Sequence, residues 1–208
     1  MKRLLILVGL VIALVLMMTG CLEDMSRPDL TQVDEQSQPN ITVVDTDSLA
    51  GSFKNCGQRL GHHPCNFRLK DQNGDNWQLY NNKGKIIVLD FSTMWCSACV
   101  QAATRVNNLL ADYPNEDIIW VTILLQDLYG MPPSEAVLQE WAKVFDLTEP
   151  VLGADLAMSK LIAENAYNVS TLPTMIVIDH NLVIQYVMEG WNEARMRVYL
   201  DNIISGDI

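Results

Sequence analysis

The chain predicts an α/β fold: a central mixed sheet flanked by helices, with an N-terminal β-hairpin and an inserted helical segment. Three observations lead to it. The run Ile86-Ile87-Val88-Leu89-Asp90-Phe91 has the near-continuous apolar pattern of a strand covered on both faces. In the stretch that follows, from Cys96 to about Asp112, the residues Cys99, Ala102, Ala103, Val106, Leu109 and Leu110 share one helical face. Residues 118–125 are rich in β-branched side chains and form the next buried strand, so strand, helix and strand make a right-handed parallel crossover.

The other elements fall into place around this unit. Residues 67–69 and 77–80 flank Asp71-Gln72-Asn73-Gly74-Asp75, whose Asn-Gly pair is a hairpin turn signal. Pro132-Pro133-Ser134 opens a helix that runs to about Phe145, with Ala136, Leu138, Trp141, Ala142 and Phe145 on its apolar face. A further helix is expected over 156–166. Strands over 174–179 and 183–188 follow, joined by Asp179-His180-Asn181. Asn192 starts a closing helix to about Ile204, with Met196, Tyr199, Leu200 and Ile203 turned inward.

The N-terminus reads as a targeting segment. Met1-Lys2-Arg3 is a short basic region, residues 4–18 are apolar, and Met18-Thr19-Gly20-Cys21 places small residues before a cysteine. Fifteen residues are short for a membrane span, which takes about 20. The pattern resembles a bacterial lipobox, with Met18 in place of the usual leucine, and implies that 1–20 is a signal peptide and Cys21 carries lipid. Ordinary secretion or an uncleaved anchor are the alternatives. Residues 21–50 are acidic and polar with Arg27 as the sole base, the composition of a tether, and 51–208 is long enough for one domain with its own core. Losing Lys2 and Arg3 takes 14 basic residues to 12 against 25 acidic ones, so the formal charge of −11 becomes −13. That balance argues against nucleic acid as a partner.

Four cysteines remain once Cys21 is assigned to lipid. Cys96-Ser97-Ala98-Cys99 sits where strand meets helix. Cys96 is placed at a helix N-terminus, where unpaired N–H groups favour a thiolate, and Cys99 lies one turn on, able to attack a mixed disulfide. Cys96 is therefore the attacking and Cys99 the resolving thiol. A zinc site would need about four ligands, and no second Cys-x-x-Cys or spaced histidine pair supplies them. Asp90, in an apolar strand six residues before Cys96, is expected to be buried, to have a raised pKa and to exchange the proton of Cys99. Trp95 either shields the thiolate and contacts substrate, the reading adopted, or only packs. Cys56 and Cys65 enclose eight residues that include His62 and His63. An even cysteine count and an oxidising compartment favour a structural disulfide over a metal site on Cys56, His62, His63 and Cys65, or a second redox pair.

Trp-Cys-x-x-Cys after a hydrophobic strand, Thr171-Leu172-Pro173-Thr174 before another, and Ile176-Val177-Ile178-Asp179 leading to a strand and Gly190 together resemble thioredoxins. The likeness is greatest to the membrane-anchored TlpA/ResA-like group and runs from about Cys65 to Ile204. It implies a cis Leu172–Pro173 bond beside the dithiol, with the Leu172 main chain pairing to an extended substrate segment. It also implies that Asp90 is the group's buried acid, and that the long interval between Cys99 and Pro173 holds the group's helical insertion, here about 133–145. Ser97-Ala98 lacks the proline common between the cysteines. Ala102 stands where members serving cytochrome maturation carry an acid, and Asn181-Leu182 replaces an Asp-Gly-like turn, a change of loop shape.

The expected function is an extracytoplasmic, lipid-anchored protein disulfide oxidoreductase, periplasmic in a diderm host, with the outer membrane permitted by Leu22. Reductant is preferred over oxidant or isomerase. Its partners would be cysteine-containing proteins and a membrane redox partner. No flavin, nicotinamide or nucleotide site is visible, and neither a cofactor nor a metal is expected. The alternatives are a copper-handling protein using Cys96, Cys99 and His180, or a thiol peroxidase.

Overall fold

Strand β3 (Ile86–Ser92) lies at the centre of the sheet, and all seven of its residues are buried. A computed structural model describes residues 56–163 and 166–207. The expected signal peptide, the expected lipid site Cys21 and the expected tether lie outside the described residues. Strand β4 (Ile118–Leu124) runs parallel to β3 in a register from Ile86↔Ile118 to Ser92↔Leu124, and β5 (Val151–Gly153) is parallel to β4. On the other side β6 (Thr174–Ile178) is antiparallel to β3, and β7 (Ile184–Glu189) is antiparallel to β6. The sheet order is β5-β4-β3-β6-β7, with β1 (Arg68–Lys70) and β2 (Asn76–Gln78) forming a separate hairpin. An isolated bridge from Asp71 to Leu152 joins the hairpin turn to β5.

Alternation along β3 divides the core into two layers. Ile86 and Val88 face a layer filled by Cys99, Ala102 and Ala103 of α1 (Ser97–Ala103) and by Val106 and Leu109 of α2 (Val106–Ala111). Leu138, Trp141 and Ala142 of α3 (Glu135–Val144) and Met196, Leu200 and Ile203 of α5 (Glu193–Ser205) complete it. Ile87, Leu89 and Phe91 face the opposite layer, built by Phe67, Leu69, Leu79, Tyr80, Tyr167 and Met158 of α4 (Leu156–Ala163). Each fully buried side chain of this size contributes about 1.5–3 kcal/mol, so the strand carrying the site is held from both sides.

The single helix expected after Cys96 is two helices. The Thr104 hydroxyl donates to the Gln101 carbonyl (2.7 Å), and the Arg105 N–H, which would have taken that acceptor in a continuous α-helix, turns to Ala102 O (2.8 Å). The second hairpin strand stops at Gln78, because Leu79–Asn82 forms a 3₁₀ turn that swings Leu79 and Tyr80 into the core. The helix expected over 156–166 is described as far as Ala163. Strand β5, three residues long, was too short for its periodicity to announce it. At 179–183 the Asp179 carboxylate accepts the N–H groups of Asn181 and Val183 (2.8 and 2.9 Å), and buried Leu182 takes a left-handed φ of 64°. The carboxylate thus stabilises a turn that the missing glycine would have made easily. Among the described residues no helix is long and apolar enough to cross a membrane.

Candidate active site

The site grows from the C-terminal end of β3. Past Ser92 the chain makes a turn in which the Cys96 N–H reaches Thr93 O (3.3 Å), and α1 starts at the next residue. Cys96 is the N-cap, with extended backbone, and its sulfur accepts the Cys99 N–H at 3.2 Å. Cys96 and Cys99 are joined as a disulfide with a Cα–Cα distance of 5.2 Å. Cys96 is 8% exposed and Cys99 0%. Only Cys96 therefore offers a surface to an incoming sulfur. When the bond is reduced, the Cys99 amide is already aimed at the Cys96 sulfur, which favours its anionic form.

Asp90 is buried in the same strand, level with Thr122 of β4 and Met175 of β6. Strand alternation puts its side chain with Ile86 and Val88, in the layer that contains Cys99. Ser92 Oγ donates to one carboxylate oxygen (2.7 Å) and Trp120 Nε1 to the other (3.4 Å). Burial pushes the Asp90 pKa up to about 6, and the two hydrogen bonds offset part of that rise.

The other predicted residues divide into two groups. Leu172–Pro173 is cis and immediately precedes β6, whose Thr174 pairs with Phe91, so it lies at the same end of the sheet as Cys96. The Pro173 carbonyl accepts the Gly190 N–H (2.8 Å), and Thr174 Oγ1 bonds to Thr171 O (2.6 Å). Trp95 is 53% exposed, with its indole N–H donated to Gln126 Oε1 (3.0 Å) rather than packed into the core. His180 lies at the other end of the sheet. It follows β6 beyond Ile178, which pairs with Ile87, and its carbonyl accepts from Gly84 ahead of β3. The structure does not bring it to the two cysteines, and among the described residues no three His, Cys, Asp or Glu side chains gather as a metal site.

Cys56 and Cys65 form a second disulfide, Cα–Cα 4.7 Å, with Cys56 exposed and Cys65 buried in the layer opposite Cys96. Its loop is anchored at the far end of the sheet. Gly61 and His62 exchange main-chain bonds with Ile184 (2.8 and 2.9 Å), and His63 Nδ1 contacts Leu182 O (2.7 Å). The hydroxyls of Tyr80 and Tyr167 donate to the carbonyls of Pro64 and Cys65. Burial raises both phenol pKa values, Tyr80 to about 12, which keeps them donors.

Sequence reasoning missed Ser92, Trp120 and Gln126. Each looked like a strand residue or a loop residue: Ser92 reaches Asp90 from two residues along the same face of β3, while the parallel register of β3 and β4 brings Trp120 to Asp90 and Gln126 to Trp95.

The AhpC/TSA family profile matches residues 60–187. Among relatives, the thioredoxin-like protein YneN of Bacillus subtilis (strain 168) is 28% identical over 139 residues, which cover 67% of this chain and 76% of that protein. The thiol-disulfide oxidoreductase ResA of Geobacillus kaustophilus (strain HTA426) is 31% identical over 131 residues, 63% of this chain and 70% of that protein. Among solved structures, the pneumococcal exposed lipoprotein thioredoxin of Streptococcus pneumoniae strain TIGR4 superposes with a TM-score of 0.50 at 27% identity, covering 66% of this chain and 99% of the other. With a mixed five-stranded sheet, a Cys-x-x-Cys disulfide at the end of its central strand and these relatives, the chain belongs to the AhpC/TSA family of the thioredoxin superfamily, among its ResA-like thiol-disulfide oxidoreductases.

Proposed function

We propose that this protein reduces disulfides in protein substrates outside the cytoplasm while held to a membrane by lipid on Cys21. The observation that carries the chemistry is the asymmetry of the dithiol: Cys96 keeps a small accessible surface, while Cys99 is sealed in the layer that also receives the Asp90 carboxyl. In the reduced protein the Cys96 thiolate attacks a substrate disulfide. A Cys96–substrate bond forms, the substrate S–S bond breaks, and the first substrate thiolate leaves. Cys99 gives its proton to the Asp90 carboxylate and attacks Cys96, forming the Cys96–Cys99 bond and expelling the second substrate thiolate. The substrate gains two electrons and, with protons from solvent and Asp90, ends as two thiols. Trp95, next to Cys96 in the chain, and the Leu172–Pro173 turn, at the same end of the sheet, serve as the substrate contacts in this reading, and Cys56–Cys65 serves as a structural brace. A membrane redox partner would return two electrons to the disulfide.

The test is stoichiometric. Pre-reduced protein mixed with a disulfide-bonded protein should lose the Cys96 and Cys99 thiols as the substrate gains two, counted by alkylation and mass. No transfer at neutral pH, with the dithiol intact, would refute the reading.

The anchor is supported by the lipobox-like Met18-Thr19-Gly20-Cys21 and by the lipoprotein description of the pneumococcal relative. Each buried methylene of an acyl chain contributes about 0.8 kcal/mol to membrane binding. Cys21→Ser is expected to shift the protein from the membrane to the soluble fraction on cell fractionation, and an unchanged distribution would count against lipidation.

A further inference from the structure

The loop after β4 is bolted to the turn that carries Cys96. The Leu125 N–H reaches Ser92 O (2.8 Å), the Met94 N–H reaches Gln126 O (3.1 Å), and Gln126 holds the Trp95 indole. The next residues are locked from within. Asp127 Oδ1 accepts the N–H groups of Tyr129 (2.8 Å) and Met131 (2.9 Å), while the Asp127 N–H bonds to Met131 O (2.8 Å). A loop so fixed displays Leu128, Tyr129 and Met131 at 60%, 88% and 60% exposure, directly after the Gln126 that holds Trp95.

We infer that Trp95, Leu128, Tyr129 and Met131 form a fixed apolar platform that selects protein substrates with aromatic or aliphatic residues next to the reacting cysteine. Two observations choose this occupant. The platform is continuous with the turn bearing the one reachable sulfur, where a partner cysteine must arrive. It also carries little charge in a chain of 25 acidic residues: Asp127 is the sole acid in 125–134, and its Oδ1 is held by the loop's own amides. Burial of apolar area is therefore the main thing this surface offers a partner. An extended segment advances about 3.3 Å per residue, so the residues flanking the substrate cysteine are the ones offered to the platform.

This rests on the exchange reaction proposed above, and the test separates the two. Full-length protein in phospholipid nanodiscs, pre-reduced, is given two peptide disulfides that differ only in flanking residues, Leu and Phe in one and Ser and Asn in the other. The wild type is expected to reduce the apolar peptide at least about tenfold faster in kcat/KM. In Leu128→Ser/Tyr129→Ser/Met131→Ser the ratio should fall to within about twofold. Asp127→Ala, which keeps the apolar side chains but frees the loop, should lower it as well. Equal rates in the wild type, or a wild-type ratio in both variants, would overturn the platform and leave disulfide exchange standing; reduction of neither peptide would overturn exchange itself. If brominated lipid quenches tryptophan fluorescence in the wild type but not in the triple variant, and the triple variant keeps the wild-type ratio, the loop is a membrane contact and the proposal falls.

Discussion

Cys99→Ser is expected to convert the protein from a catalyst into a trap, with mixed disulfides accumulating on Cys96 and multiple-turnover reduction falling at least about a thousandfold. Resolution is intramolecular: Cys99 is one helical turn from Cys96, and its sulfur already occupies the bonding position in the oxidised protein. Well-oriented intramolecular attack has an effective molarity of at least about 10⁵ M, far above any external thiol that could replace it. Cys96→Ser, by contrast, removes the nucleophile that retains some accessible surface and leaves a thiol on a residue with none, so it should trap nothing. Non-reducing electrophoresis followed by mass mapping reads both outcomes. Adducts of equal yield on Cys99 in the Cys96→Ser protein would reverse the assignment of attacker and resolver.

The line between what the sequence disclosed and what it withheld at this site follows interaction range. Cys96, Cys99 and Asp90 lie within ten residues of one another, and strand and helix periodicity is enough to place all three. Of the groups that tune them, Ser92 is local and the others come from elsewhere. Trp120 sits 30 residues beyond Asp90 in an apolar run where a tryptophan reads as core, and the β3–β4 register makes its indole a donor to the carboxylate. Gln126 reaches Trp95 for the same reason. The cis state of Leu172–Pro173 was implied by family resemblance, since its residues by themselves specify only a turn before a strand. The break between α1 and α2 was illegible because it depends on one hydroxyl competing for one carbonyl, which leaves the apolar spacing of Val106 and Leu109 unaltered. The Asp127 loop carries no periodicity at all. Its order comes from a carboxylate closing on nearby amides, and its apolar side chains look like core residues until the fold leaves them outside.

Asp90→Asn is expected to stabilise the oxidised protein at neutral pH and to slow resolution of mixed disulfides, two effects with one cause. The folded carboxyl titrates near 6 and the unfolded one near 3.8, because burial penalises the charge. Between those values the folded chain holds a proton that the unfolded chain has lost, so stability falls as pH rises from about 4 to about 6 and stays low above it. Two pH units correspond to about 3 kcal/mol. Asparagine avoids the charge and can keep both contacts, its oxygen accepting from Trp120 Nε1 while its amide donates to Ser92 Oγ, which can accept. With both disulfides intact, Asp90→Asn should therefore raise the melting temperature by about 5–10 °C at pH 8, and the gain should vanish below about pH 4. The same substitution removes the base that takes the Cys99 proton, so release of a pre-formed Cys96 mixed disulfide should slow by about 10²-fold near neutrality, and the rise in release rate across pH 6 should disappear. The paired readout separates chemistry from packing: added stability with an unchanged pH–rate profile would leave Asp90 a buried charge with no part in proton transfer.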